Sequence, residues 1–170
     1  FKINYNGKIA VSPLLYEFDT NKYHFFLSPN DKMSFSEKII FRIINGKKGY
    51  IPGKISKSGI NMGLPEFPGT FHEIEWIPGA CVLHRKENLI NFNYYPMEGK
   101  AFAEDLFHSQ YLIKNGVILA RVGNARCYVE FSSSKVSPLG LFTSFFAYSK
   151  AMIAFNEKFN YDKRRLYIYV

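Results

Sequence analysis

The chain has 170 residues, 47% of them hydrophobic and 18% aromatic, about one domain in length with ample material for a packed core. That composition excludes a disordered chain. The formal net charge of +8 favours anionic partners, a class that takes in nucleic acid, an anionic membrane surface and phosphorylated small substrates. The basic residues lie in small groups, Lys47 with Lys48, Lys54 with Lys57, and Lys163 to Arg165, which a solvated surface also accounts for.

The chain opens at Phe1 with an apolar and polar alternation already under way through Tyr5, so it reads as a segment of a longer protein. Residues 8–15 read as a strand, because Ile9, Ala10 and Val11 form a short apolar run that Ser12-Pro13 should end. Ser34 and Glu37 have capping-box spacing, and Phe35, Ile39, Ile40, Ile43 and Ile44 recur at helical intervals up to Asn45-Gly46, which predicts a helix. Residues 49–69 hold five glycines and three prolines among them. Regular structure is excluded there, and a long loop, mobile without ligand and carrying Lys54, Lys57 and Ser58 toward anions, is expected.

Residues 71–77 alternate as a strand and break at Pro78-Gly79. Residues 101–115 carry helical apolar positions at Phe102, Leu106 and Ile113 and stop at Asn115-Gly116, as a helix C-terminus would. Two short strands, 117–122 and 126–131, follow, and residues 138–159 read as one amphipathic helix rich in Phe, Leu and Met. Its uncharged run, 136–149, is shorter than the ~20 residues a bilayer span needs. No signal peptide, internal repeat or second domain is visible. Cys81 and Cys127 stand far apart in the chain, with no paired cysteines or histidines at ligand spacing, which points to neither a disulfide framework nor a zinc site and suits a reducing cytoplasm.

The chemistry concentrates in Trp76-Ile77-Pro78-Gly79-Ala80, then His84-Arg85-Lys86-Glu87, then Ala103-Glu104-Asp105 opening the helix that stops at Asn115-Gly116. In order and spacing this resembles the carboxyl-terminal half of the family 2 glycosyltransferases: a strand, a W-x-x-G turn, an arginine-containing segment, a loop, and an acidic pair at a helix start. The runs KIAVSPLLYE and KISKSGIN extend the resemblance from Lys8 to about Phe155. It implies an α/β fold with a mixed sheet flanked by helices, the C-terminal part of a GT-A nucleotide-diphospho-sugar transferase fold, with residues 1–170 as a single partial domain that binds the acceptor.

An inverting sugar transfer needs a base to take the proton of the acceptor hydroxyl as it attacks the anomeric carbon. The resemblance gives that part to Asp105, with the carboxylate at a pocket mouth and free of a structural ion pair. Glu104 would then hold acceptor hydroxyls. Acidic residues in a first helical turn are also favoured by the helix dipole alone. Trp76 would stack on a sugar face or end its strand in the core. Gly79 would let substrate approach backbone or simply serve the turn, and Arg85 would contact a phosphate or stand exposed. The loop at 49–69 is expected beside the same cleft.

The implied partners are a nucleotide-sugar donor and a glycan or lipid-linked acceptor, as in polysaccharide and cell-envelope assembly, with no nucleic acid. The implied cofactor is a divalent metal, Mg or Mn, whose ligands lie mostly in the donor-binding half that this chain lacks, so its ligands here are unknown and the segment alone is not expected to turn over. Many members of that family place a histidine after the strand that follows the acidic helix; here that stretch is Cys127 to Phe131, where Glu130 is a substitute on the resemblance alone, and His108 lies one turn beyond Asp105. The implied location is the cytoplasm at the inner face of a membrane, with residues 138–159 in peripheral contact beside Lys158, Lys163, Arg164 and Arg165. The competing reading is a non-catalytic basic module that binds a membrane surface or nucleic acid, although no motif of a nucleic-acid-binding fold is present.

Overall fold

A computed structural model describes residues 7–23, 33–64, 71–89, 102–130 and 137–169. Within them lie four strands, β1 (Ile9–Glu17), β2 (His72–Ile74), β3 (Leu83–His84) and β4 (Ile118–Val129), and four helices, α1 (Phe35–Asn45), α2 (Glu104–Lys114), α3 (Pro138–Phe159) and α4 (Lys163–Tyr169). The strands form one sheet in the order β2-β4-β1-β3; β1 and β4 run parallel, and both outer strands are antiparallel to their neighbours. This is an α/β fold with a mixed sheet and helices, as the sequence predicts at that level.

The central pair explains two departures from the sequence reading. β1 does not stop at Ser12-Pro13 but continues to Glu17, and the expected strands 117–122 and 126–131 are one long strand. Pro13 faces Val122 and the next residue, Leu14, faces Arg126, so Gly123, Asn124 and Ala125 bulge out. A proline has no N–H to give the ladder. The register break falls where that donor is missing, and pairing resumes beyond it. β2 is shorter than the alternation across residues 71–77 suggests.

α1 forms where the capping box places it. Ser34 Oγ accepts from the Glu37 amide, and the Glu37 carboxylate accepts from the Ser34 amide. Its expected apolar face turns inward toward its C-terminal end, where Phe41 and Ile43 pack against the core and Ile44 and Asn45 are buried; Phe35, Ile39 and Ile40 are exposed. α3 begins at Ser137, whose side chain accepts from the Gly140 amide, with Pro138 in the first turn. The seven residues of α4 fold back on α1 and α3. Leu166 is buried there, and Arg165 Nη1 donates to the Ile43 carbonyl at 2.7 Å.

The core runs between the sheet and the helices, through Leu119, Ile74, Trp76, Phe107, Met152 and Phe155. Residues 49–64 of the expected mobile loop are irregular but packed inward: Ile55, Ser56, Ser58, Ile60, Met62 and Leu64 are all buried, Ile55, Ile60 and Leu64 in that core and Met62 in a smaller cluster with Met33 and Tyr50. Side chains from elsewhere satisfy its backbone. Asn45 Oδ1 accepts from the Lys57 amide at 3.1 Å, Glu75 Oε2 from the Ile55 amide at 2.8 Å, and Asn156 Nδ2 donates to the Ser58 carbonyl at 2.8 Å. A segment held this way is a structural plug, and Ser58 is closed to any anion. Residues 65–69 of that loop and residue 131 of the second expected strand lie outside the described residues, as does residue 101.

Candidate active site

α2 sets the site. Its buried stripe, Leu106, Phe107, Ser109 and Leu112, fixes the rotation of the helix, with the Phe107 ring 5.2 Å from Phe155 and 5.7 Å from Phe159. Glu104, Asp105 and His108 lie within the first turns of the helix, with Asp105 beside the buried stripe at the i+4 spacing to Ser109, and they line a hollow of about 620 Å³. The preceding turn is bolted to the same helix: the Ile77 amide donates to Ser109 Oγ at 2.9 Å, and Gln110 Nε2 donates to the Glu75 carbonyl at 3.4 Å. Those bonds bring Gly79 against Asp105, where an added Cβ would meet the aspartate Cβ at 4.0 Å. Pairing of β3 with β1 places His84 on the far wall, its ring 6.4 Å from that of His108. Its Nδ1 is buried without a hydrogen-bond partner.

Burial pushes the Asp105 carboxyl up to about 6, and the neighbouring Glu104 charge adds to the rise, against the pull of the Leu106 amide that donates to Asp105 Oδ1 at 2.9 Å. Desolvation therefore outweighs both that amide and the helix dipole, which favour the anion at this position. Among the described residues Asp105 forms no ion pair. His108 is held below its ordinary range by burial and then by His84. The Cys81 thiol is raised by burial and by a hydrogen bond with Cys127. On the remaining side, burial and then the Tyr169 and Asp105 charges push the Tyr148 hydroxyl up to about 12, and Tyr148 packs on Phe102 with ring centroids 6.5 Å apart. The result is a carboxylate mostly ionised at neutral pH but poorly solvated, in a half-enclosed space with a second carboxylate and two imidazoles. Such a group accepts a proton from a hydroxyl presented to it.

No family model, curated protein or solved structure matches this chain. Of the residues that the family resemblance singles out, Gly79, Glu104 and Asp105 line this hollow together. Gly79 has an ordinary backbone angle, so its contribution is the absence of a side chain beside Asp105. Trp76 does not reach the hollow: it is buried, and its Nε1 donates to the Met62 carbonyl at 2.8 Å, the core alternative of the sequence reading. Arg85 is exposed outside the hollow, as is Glu130 beyond the end of β4. Lys54 and Lys57 line a different hollow with Asp162, and Lys54 pairs with Glu75 at 3.4 Å. The described part of the loop therefore does not border the Asp105 site.

Sequence reasoning passed over His84 and Cys81. His84 adjoins Arg85 in the motif, and adjacent strand residues face opposite sides of a sheet, a signal usable only once β3 is known to be a strand. The contact of Cys81 with Cys127 has no signal in their spacing. Among the described residues, no three His, Cys, Asp or Glu side chains converge as metal ligands. The described residues do not by themselves make a site for the divalent metal that the resemblance implies.

Proposed function

We propose that this chain is the acceptor-binding half of an inverting glycosyltransferase in which Asp105 is the general base. The observation that carries the reading is the meeting of Asp105, Glu104 and Gly79 in one hollow, with the aspartate poorly solvated and outside any ion pair among the described residues. The acceptor hydroxyl approaches over Gly79, where no side chain stands in the way. As its oxygen bonds to the anomeric carbon of the donor sugar, its proton passes to the Asp105 carboxylate, and the bond from the anomeric carbon to the nucleoside diphosphate breaks with its electron pair on the leaving group. Glu104 holds neighbouring acceptor hydroxyls.

The test is release of nucleoside diphosphate by the full-length protein across a panel of nucleotide sugars. Asp105→Asn keeps size and most hydrogen bonding but removes the basic oxygen, so turnover is expected to fall ~100-fold or more with donor affinity little changed. Asp162→Asn, at the other hollow, leaves turnover near that of the parent. Near-normal turnover by Asp105→Asn would sink the reading.

A further inference from the structure

α3 changes character along its length. Its C-terminal half faces the core through Ala151, Met152, Phe155 and Asn156, all buried. Its N-terminal half presents Leu141, Phe142, Phe145 and Phe146, between 49% and 61% exposed. These positions recur at one and four residues, so they form a single stripe on the helix. The phenylalanines pack on one another, Phe142 on Phe146 at 4.7 Å and Phe145 on Phe146 at 6.1 Å. No charged residue occurs between Ser137 and Ser149.

The end of α4 enlarges this face. Tyr167, Ile168 and Tyr169 are 47% to 69% exposed, and the Tyr169 hydroxyl lies close enough to Tyr148 to act on its ionisation. Clustered aromatics of this extent are rare on a surface that meets only water.

We infer that the face formed by the N-terminal half of α3 and the end of α4 docks on the surface of an anionic lipid bilayer. Phenylalanines and a leucine supply the part that enters the acyl boundary, and tyrosines at the margin suit the headgroup layer, where a ring needs one apolar and one wet side. Charge selects the partner. Residues 137–170 carry five Lys or Arg against two Asp or Glu; Lys163 pairs with Glu157 and Arg165 with Asp162, while exposed Lys150 follows Phe146 by one turn of α3 and exposed Arg164 precedes Ile168 by one turn of α4. A second copy would bring like charges together, whereas anionic headgroups neutralise them. Among the described residues no helix is long and apolar enough to cross a membrane, so contact is from one side. Tyr148, one turn beyond Phe145 on α3, lies near enough to Asp105 to feel its charge. An acceptor reaching Asp105 from the bilayer would be lipid-linked, a corollary that rests on the glycosyltransferase reading; the docking itself does not.

Flotation of the full-length protein with vesicles tests the inference without any assay of activity. Binding is expected to vesicles of equal parts phosphatidylglycerol and phosphatidylcholine, weaker by ~10-fold or more to phosphatidylcholine alone. The combined Phe142→Ser, Phe145→Ser and Phe146→Ser variant loses binding by a similar factor with its melting temperature unchanged, since the three rings are exposed. If that variant melts early, Phe142→Ser and Phe146→Ser singly must each weaken binding. A parent that stays unbound to the mixed vesicles overturns the inference, as do serine variants that bind like the parent. So does a parent that sediments as a dimer which the serine variant dissociates, for the face would then belong to a second copy.

Discussion

Asp105 couples its surroundings to pH in two measurable ways. Its folded-state pKa of about 6 lies above the ordinary aspartate value of 3.8, so the folded protein binds its proton more tightly than the unfolded chain does. Stability contributed by this group is full below about pH 4, declines as pH rises from about 4 to 6, and is absent above that. Two pK units correspond to ~3 kcal/mol, and partial solvent access reduces this to about 1–2 kcal/mol. Asp105→Asn is therefore expected to be more stable than the parent at pH 7, with a flatter pH dependence of the urea midpoint between pH 4 and 6. If Asp105 is the base, kcat/KM rises with pH through about 6 and then levels. Gly59 illustrates the opposite case, a residue fixed by geometry alone. It has φ of +79°, and an added Cβ would fall 2.0 Å from Asn156 Oδ1. Gly59→Ala should cost about 2–4 kcal/mol and lower Tm by roughly 5–15 °C. Gly116→Ala, at φ of +75° with nothing within 4 Å, should cost only ~1–2 kcal/mol, and calorimetry of the two variants separates strain from clash.

β4 carries the clearest energetic signature among the elements, because Arg121 is completely buried in it. Its Nη1 donates to Ser12 Oγ at 3.1 Å and its Nη2 to the Tyr23 hydroxyl at 2.7 Å, while Nε has no partner. The Tyr23 hydroxyl in turn donates to the Leu64 carbonyl. Tyr23→Phe strips a buried cation of an acceptor and should cost about 1–3 kcal/mol. Arg121→Met removes the charge together with its demand for acceptors and should cost less; denaturant midpoints of both variants decide the order. None of this was legible in the sequence, where Arg121 sits in an ordinary strand run. Elements with local signals were legible: Ser34 and Glu37 mark the start of α1, Pro138 that of α3, and Glu104-Asp105 both the start of α2 and the acidic half of the site. The misreadings came where a distant partner overrides a local rule. Pro13 ends strands by rule, yet the bulge at 123–125 removes the need for its donor. The glycines of 49–64 suggest a mobile loop, yet Asn45, Glu75 and Asn156, 12 to 98 residues away along the chain, supply its hydrogen bonds.

For the molecule as a whole, the last turns of the chain close what the first ones open. α4 packs on both α1 and α3 with Leu166 fully buried, and the Asp162 amide donates to the Lys57 carbonyl of the plug segment at 2.8 Å. Leu166→Ala should therefore cost about 2–5 kcal/mol, and a single cooperative melt at lower temperature is the expected record. The central parallel pair has a consequence for synthesis. Ile9 lies beside Ile118 in the finished sheet, so β1 waits for about a hundred residues to be translated before its long parallel neighbour exists, with only the two-residue β3 available earlier. At the usual ~5–20 residues per second, that leaves an apolar strand uncovered for roughly 5–20 s on the ribosome, far longer than a local helix needs to form, and makes β1 the segment on which a nascent-chain chaperone would act.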